Sequence, residues 1–192
     1  AVKSSIEGKN IAINSKEGSV SLEGTDITAK NLDIKAKEHI EIKAATEEQK
    51  SSNHSSDRGI SASLSFDSVT PVTVTASASG AKGRGNGTTY VNSILHVEET
   101  LKTESENLKV SDANIEADKV AMKAKDIVIE SKQDVSKRKD SSYGASVSVG
   151  LTTTGAIIPK DISVNGSKGK GEGEWVEKQT SLIARNGGTI EA

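Results

Sequence analysis

The sequence predicts an all-β fold, a right-handed parallel β-helix with projecting antiparallel β-hairpin excursions, on three observations. Short triplets of the form apolar–x–apolar recur, and each is typical of a strand with two side chains on one face. Aromatic residues make up only 2% of the chain, which fits the narrow core of stacked coils better than a globular domain. A longer pattern of coils, a Ser-rich excursion and a Gly/Lys-rich loop occurs twice.

Residues 1–50 are predicted to form the β-helix coils of a first supra-repeat. Two families of triplets interleave here, with 21 positions from Ile11 to Leu32 and 20 positions from Val20 to Ile40. Strands this short do not form a stable isolated sheet, but coils stacked about 4.8 Å apart satisfy one another's backbone groups. Tight-turn residues such as Gly18 separate the triplets, so the segment is predicted to be a solenoid.

Residues 51–93 are predicted to form a hairpin excursion and a Gly/Lys-rich loop. Apolar and polar residues alternate on both sides of Pro71, which we place in or beside the turn. The alternating apolar positions are Ile60, Ala62, Leu64 and Phe66, then Val72, Val74 and Ala76. Residues 80–87 contain four glycines and two cations, and because they offer nothing to bury we expect a mobile return loop.

The same order of elements is predicted to return in a second copy. Residues 94–140 are assigned to coils, residues 141–178 to a hairpin excursion and Gly/Lys-rich loop, and residues 179–192 to the start of a further coil. The triplets that begin at Leu108 and Ile127 are 19 positions apart. The stretch Lys35-Ala36-Lys37-Glu38 returns 88 positions later as Lys123-Ala124-Lys125-Asp126. We place the second hairpin turn around Gly155 and Pro159, and a second mobile loop at residues 166–173.

Composition narrows the classes of function. The formal net charge of −2 argues against nucleic acid as the main partner, because phosphate binding needs a basic face. The chain has no Cys, which excludes disulfides and thiol chemistry. No stretch approaches the roughly 20 apolar residues of a transmembrane helix, and the first residues do not have the pattern expected of a signal peptide. Because both ends stop within the repeat pattern, we expect a fragment of a larger protein without a transmembrane segment.

No pattern of residues indicates catalysis, and we predict no enzyme activity, no cofactor and no metal site. Enzymes built on parallel β-helices need clustered carboxylates on one exposed face. The candidate carboxylates occupy turns or the polar middles of coils, where solvated charge is expected; they are Asp26, Asp33, Glu41 and Glu116. The three histidines lack a metal-ligand spacing and are expected to be plain polar residues; they are His39, His54 and His96.

The Gly/Lys-rich loops carry the candidate contact residues. These are candidates for contact with an acidic glycan or a membrane surface: Lys82, Arg84, Lys168 and Lys170. The loops lack the Gly-Lys-Ser/Thr ending of a phosphate-binding loop and the Asp of calcium-binding nonapeptide repeats. The basic run Lys137-Arg138-Lys139 is interpreted as a solvated face, because it is too short to specify nucleic acid.

The ordered combination of these features resembles the hemagglutinin repeat region of filamentous hemagglutinin-type exoproteins, large proteins exported by two-partner secretion. Two stretches of coil carry the resemblance, Asn107-Leu108-Lys109-Val110-Ser111-Asp112-Ala113-Asn114-Ile115-Glu116-Ala117 and Lys125-Asp126-Ile127-Val128-Ile129-Glu130-Ser131. The Gly-Ala/Ser-Lys-Gly loops add to the resemblance, as do the motifs that follow them, Val-x-Ser at Val91 and Val-x-x-Gln-Thr-Ser at Val176. The similarity covers essentially the whole chain.

The resemblance implies a secreted adhesin at the bacterial cell surface, exported by a dedicated outer-membrane transporter that engages an N-terminal domain outside this chain. We therefore predict a repeat stalk that mediates or presents adhesion to a receptor or glycan on host or bacterial cells. The alternative is the segment of a contact-dependent growth-inhibition effector that engages the target cell's outer membrane for delivery, since that branch uses similar repeats. Exposed coil edges also predict edge-to-edge self-association.

Overall fold

The computed structural model describes residues 2–64 and 68–192, so Phe66 of the first predicted hairpin lies outside the described residues. The described chain is all-β, as predicted, and none of it forms a helix that could cross a membrane. Its strands are, in order, β1 (Ser4–Ser15), β2 (Val20–Glu23), β3 (Thr25–Ala36), β4 (His39–Lys43), β5 (Ala45–Leu64), β6 (Val72–Val91), β7 (Ser93–Glu104), β8 (Asn107–Ser111), β9 (Ala113–Lys123), β10 (Asp126–Glu130), β11 (Asp134–Leu151), β12 (Ile157–Trp175), β13 (Ser181–Ala184) and β14 (Gly188–Glu191).

The chain divides into two compact units. The first, called here the parallel unit, comprises residues 1–48, 88–135 and 174–192. The second, called here the antiparallel unit, comprises residues 49–87 and 136–173. Each unit therefore combines segments from both supra-repeats, so its packing depends on pairings between residues far apart in the sequence.

Two parallel sheets build the parallel unit. One sheet has the strand order β1-β3-β7-β9, with β13 and β14 both paired to β9, and the other has the order β2-β4-β8-β10. Every one of these strand pairs is parallel. The register pairs Ile11 with Leu32, Val20 with Ile40, and Leu108 with Ile127. The two interleaved strand families and their spacing of 19 to 21 residues are therefore confirmed.

One face of each strand supplies the core of the parallel unit. In β3 the burial alternates from Thr25 to Ala29 and again from Leu32 to Ala36, and the phase shifts at Lys30 and Asn31, where the pairing with β7 is irregular. The largest fully buried side chains are aliphatic apart from one methionine: Ile27, Leu32, Ile34, Ile40, Ile42, Leu95, Val97, Leu101, Leu108, Val110, Ile115 and Met122. Within the described residues no aromatic side chain belongs to this core. Each buried side chain of this size contributes about 1.5–3 kcal/mol, so stacked aliphatic rows supply the main stabilisation.

The corners between the two sheets reuse one backbone geometry. Gly24, between β2 and β3, has φ 53°, and Asp112, between β8 and β9, has φ 50°. The Gly24 N–H donates to the carbonyl of Lys43 at 3.0 Å, and the Asp112 N–H donates to the carbonyl of Glu130 at 3.3 Å. Glycine adopts this left-handed conformation freely and aspartate is one of the few other residues that visit it, which explains the residue types at these corners.

The antiparallel unit contains one sheet with the strand order β5-β6-β11-β12. A Cβ placed on Gly83 or Gly85 would meet the side chain of Asn53 or Ser51, so residue numbers fall along β5 as they rise along β6. The same opposite progression relates β11 to β12, where hydroxyl pairs lie 2.7 Å apart: Ser142 with Ser167, and Ser146 with Ser163. Both strand pairs are therefore antiparallel.

The Gly/Lys-rich segments are strands, so their prediction as mobile loops was wrong. Residues 80–87 lie within β6 and residues 166–173 within β12. Their backbone N–H and C=O groups are hydrogen-bonded to strands that are distant in the sequence. Local composition does not reveal these hydrogen bonds. Several of the glycines also accommodate a neighbour: the Tyr143 ring lies 2.7 Å from the position of a Cβ on Gly80.

The second hairpin turn is shorter than predicted. β11 ends at Leu151 and β12 begins at Ile157, so the turn includes Gly155, which has φ 81°, but Pro159 lies in β12. β12 is at the end of the strand order, and an edge strand tolerates a proline because one row of its N–H groups has no strand partner. In the first hairpin Pro71 directly precedes β6, beside the turn as expected.

Candidate contact surface

Four predicted contact residues and one further cation lie on the same face of the antiparallel sheet. Alternate residues of a strand share a face. Tyr143 lies over Gly80, and the Lys137 Nζ lies 4.0 Å from the Glu172 Oε1, so these four residues point to one side of β6, β11 and β12. Residues an even number of positions from these four along the same strand point to the same side. They include Lys82, Arg84, Lys139, Lys168 and Lys170.

These five cations form neighbouring rows. The Asp140 side chain approaches the Cβ positions of both Gly83 and Gly169, so these three residues are cross-strand neighbours. One position along each strand, Arg84, Lys139 and Lys170 therefore lie side by side, about 4.8 Å apart in backbone spacing. A second row, about 6.7 Å away along the strands, contains Lys82 and Lys168.

The five cations are exposed, and within the described residues none of them forms an ion pair. On the opposite face Arg138 is neutralised by Asp140, with Nε to Oδ2 at 2.6 Å. Lys137, the remaining lysine of the basic run, has the weak contact with Glu172. The run was interpreted as a solvated face, and alternation along β11 divides its side chains between the two faces of the sheet. Lys139 is thus a member of the cation group that the sequence interpretation missed.

The same face is mainly apolar at its other end. Ser146, Ser148 and Ser163 hydrogen-bond across strands on the opposite face, so the residues between and beside them point to the cation side. Gly59 faces Ser77 on that opposite face, so the next residue, Ile60, points to the cation side. The exposed apolar side chains so placed are Ile60, Leu64, Val147, Ile162 and Val164. We call the whole surface the contact face; besides the five cations, Tyr143 and these five apolar residues, it bears the exposed Arg58 and the Lys137–Glu172 pair.

The carboxylates considered as catalytic candidates are held in separate ion pairs. Asp26 Oδ1 lies 2.7 Å from Lys3, and Asp33 Oδ2 lies 3.8 Å from Lys35. In the same way Glu41 pairs with Lys43 at 3.0 Å, and Glu116 pairs with Arg185 at 2.9 Å. Within the described residues no group of three or more His, Asp or Glu side chains could hold a metal ion. Of the histidines, His96 lies 3.6 Å from Glu116, His39 contacts Asn107, and His54 is exposed on β5.

Two buried carboxylates of the parallel unit were not anticipated from the sequence. Asp134 accepts the Tyr90 N–H at 2.8 Å and the Glu177 N–H at 3.4 Å, so it links three chain segments. Asp112 accepts the Lys132 N–H at 2.7 Å through Oδ1, while its Oδ2 has no hydrogen-bond partner among the described residues. Burial raises the pKa of Asp112 above its ordinary value, although the Lys132 N–H opposes that rise.

The raised pKa of Asp112 makes stability depend on pH in a defined direction. The folded chain holds the Asp112 proton more tightly than the unfolded chain, so the associated stability is complete below the ordinary pKa of 3.8 and is lost as pH rises through the folded pKa. Asp112→Asn keeps an uncharged side chain of the same shape, and asparagine tolerates the positive φ. We expect the stability of the native chain relative to this variant, measured by urea unfolding, to fall as pH rises above the ordinary Asp pKa of 3.8. Asp126→Asn, at an exposed aspartate of the same unit, is the control. A pH-independent difference for Asp112→Asn would contradict the prediction.

The parallel and antiparallel sheets, built from strands that recur along the chain, define an all-β repeat protein. A family model described as the hemagglutinin repeat matches residues 1–145, and the chain belongs to that family. No curated protein and no solved structure matches the chain. The family membership confirms the resemblance that was inferred from the sequences of the coils, and it identifies the chain as an adhesin-type repeat.

Proposed function

We propose that this chain is part of the repeat stalk of a secreted bacterial surface exoprotein, folded as a right-handed parallel β-helix, and that it mediates or presents adhesion to cells or matrix. The observation that carries the proposal is the in-register parallel pairing of two strand families in a hemagglutinin-repeat chain. Such a stack lengthens by adding coils, because each coil satisfies the backbone groups of the one before it. A stalk built in this way holds its contact surfaces at a distance from the cell.

The two kinds of segment have separate roles in this proposal. The coils, residues 1–50, 94–140 and 179–192, set the length of the stalk. The hairpin excursions, residues 51–93 and 141–178, together with residues 136–140 at the start of β11, present the contact face with Lys82, Arg84, Lys139, Lys168 and Lys170. The strand β1 lies at the end of its sheet order, and its unpaired backbone groups would also allow edge-to-edge association of copies.

Binding of the purified chain to host cells, to extracellular matrix and to isolated bacterial outer membranes tests this proposal. We expect saturable binding that is weakened by the triple variant Lys82→Gln/Lys139→Gln/Lys168→Gln. The matched control is Lys16→Gln/Lys37→Gln/Lys123→Gln, which removes the same charge from exposed lysines of the parallel unit that have no ion-pair partner among the described residues. Equal weakening by both variants, or no binding to cells or matrix, would contradict adhesion through the contact face. Binding to bacterial outer membranes alone would favour the delivery segment of a growth-inhibition effector.

A further inference from the structure

We propose that the contact face docks on the headgroup region of an anionic lipid leaflet, with its apolar end at the acyl boundary and its cations at the lipid phosphates. The inference rests on the proposed function, because it names the partner of the same face. It describes docking at the surface of a membrane, and it depends on an arrangement of three kinds of side chain within the antiparallel unit.

The apolar end of the face is the first step. Leu64 is 85% exposed, Val164 81% and Ile162 70%, and they share their face with Ile60 and Val147. Single exposed apolar residues are ordinary, but a contiguous group on one sheet face marks an interaction surface. The reverse face bears cross-strand hydroxyl pairs such as Ser146 with Ser163, so the sheet has one polar and one partly apolar side.

The order of residues along the strands is the second step. On β11 the contact face presents Val147, then Tyr143, then Lys139, each four residues from the last, so apolar, aromatic and basic groups follow one another over about 27 Å. On β12 the same order runs from Ile162 and Val164 to the two lysines. Tyr143 is 57% exposed at the junction. Tyrosine prefers the membrane–water interface, and lysines near the apolar layer attract anionic headgroups. Because the headgroup region of one leaflet is only roughly 5–8 Å thick, the face would lie obliquely along the surface, so that the apolar end and the cations both touch it.

Other occupants of the face use only part of it. A second copy lying face to face in the same direction would oppose two sets of unpaired cations, and a reversed copy would set cations against apolar side chains. A sulfated polysaccharide or a nucleic acid would satisfy the cations and leave the apolar end in water. An anionic lipid surface accommodates the apolar side chains, Tyr143 and the cations together, which is why charge and apolar patterning favour it.

Co-sedimentation of the whole chain with unilamellar vesicles tests the proposal. The vesicles contain phosphatidylcholine alone or phosphatidylcholine with 30% phosphatidylglycerol, and the chain should bind the second kind preferentially, with affinity falling as salt rises. Lys82→Gln/Lys139→Gln/Lys168→Gln should weaken binding at least about tenfold. The double variant Ile162→Ser/Val164→Ser should also weaken it at least about tenfold, because both side chains would enter the acyl boundary. The control Lys16→Gln/Lys37→Gln/Lys123→Gln should bind as the native chain does, and circular dichroism should show the same strand content in every variant.

Two outcomes would overturn the proposal. If the lysine variant loses binding while Ile162→Ser/Val164→Ser binds normally, the face recognises charge alone. If heparin or polyphosphate binds the chain and the anionic vesicles do not, the partner is a soluble polyanion. Because the vesicles contain no receptor or glycan, binding to cells without binding to vesicles rejects this inference and leaves the adhesive function intact. Binding to vesicles without binding to cells or matrix supports this inference and contradicts the adhesive function.

Discussion

Ile34→Ala is expected to destabilise the parallel unit by about 2–5 kcal/mol, because truncation of a fully buried aliphatic side chain loses its transfer free energy and leaves a cavity. Ile34 is 0% exposed on β3, and its register partners are Ile13 on β1 and Thr103 on β7. Coils on both sides cover it, so the cavity cannot be filled by a small local movement. Thermal unfolding followed by the fluorescence of Trp175, the single tryptophan and a residue of the parallel unit, should show the Tm lowered by roughly 4–20 °C.

The neighbouring position in the same core row provides a control of opposite sign. Thr103 is buried, and its hydroxyl has no hydrogen-bond partner among the described residues. Thr103→Val removes that unsatisfied group at nearly constant volume and should stabilise the chain by about 1 kcal/mol. Thr25→Val should instead destabilise it, because the buried Thr25 hydroxyl donates to the carbonyl of Glu23 at 3.2 Å. A smaller loss for Ile34→Ala than for the half-exposed Ile94→Ala would contradict the assignment of this row to the core.

The parallel sheets could be predicted because their information is local and periodic. A triplet such as that at Ile40 and Ile42 fixes which face is buried, and the distance to the next triplet fixes the register partner. Aliphatic side chains at positions two residues apart are thus enough to specify strand, face and neighbour.

The strands rich in glycine could not be predicted in this way. Residues 80–87 have no alternating apolar pattern, and their partners are residues such as Asn53 and Asp140, about 30 and 57 positions away. Glycine and lysine have low strand preference by themselves, so the local signal favoured a loop. Pairing across the sheet decided the structure, and neighbouring side chains occupy the space that a Cβ on Gly83 would take.

The contact face was predictable only in part for the same reason. The four cations of the Gly/Lys-rich segments were identified from composition, but the sequence gives no direct sign that β11 lies between β6 and β12. That order of strands adds Lys139 to the group and aligns Tyr143 with the apolar end of the face. Alternation within β11 then separates Lys139 from Arg138, which a reading of consecutive charges treats as equivalent.

Gly24→Ala is expected to destabilise the parallel unit by about 2–5 kcal/mol through two separate effects. The residue has φ 53°, a conformation that costs a residue with a Cβ roughly 1–2 kcal/mol. A Cβ at this position would also lie 2.5 Å from the Cβ of Ala45 in the adjacent coil, and such overpacking typically costs about 1–3 kcal/mol. Urea unfolding followed by Trp175 fluorescence measures the sum.

Two further variants separate these effects. Gly187→Ala has φ 96° and no atom within 4 Å of the new Cβ, so it should show the cost of the left-handed conformation without the overlap. Ala45→Gly removes the other atom of the close contact, and the double variant Gly24→Ala/Ala45→Gly should therefore be more stable than the sum of the two single changes predicts. Strict additivity of the two changes would mean that the corner at Gly24 relaxes away from Ala45. In that case the left-handed backbone would be the main reason for glycine at this position, as it is for the choice of aspartate at the equivalent corner, Asp112.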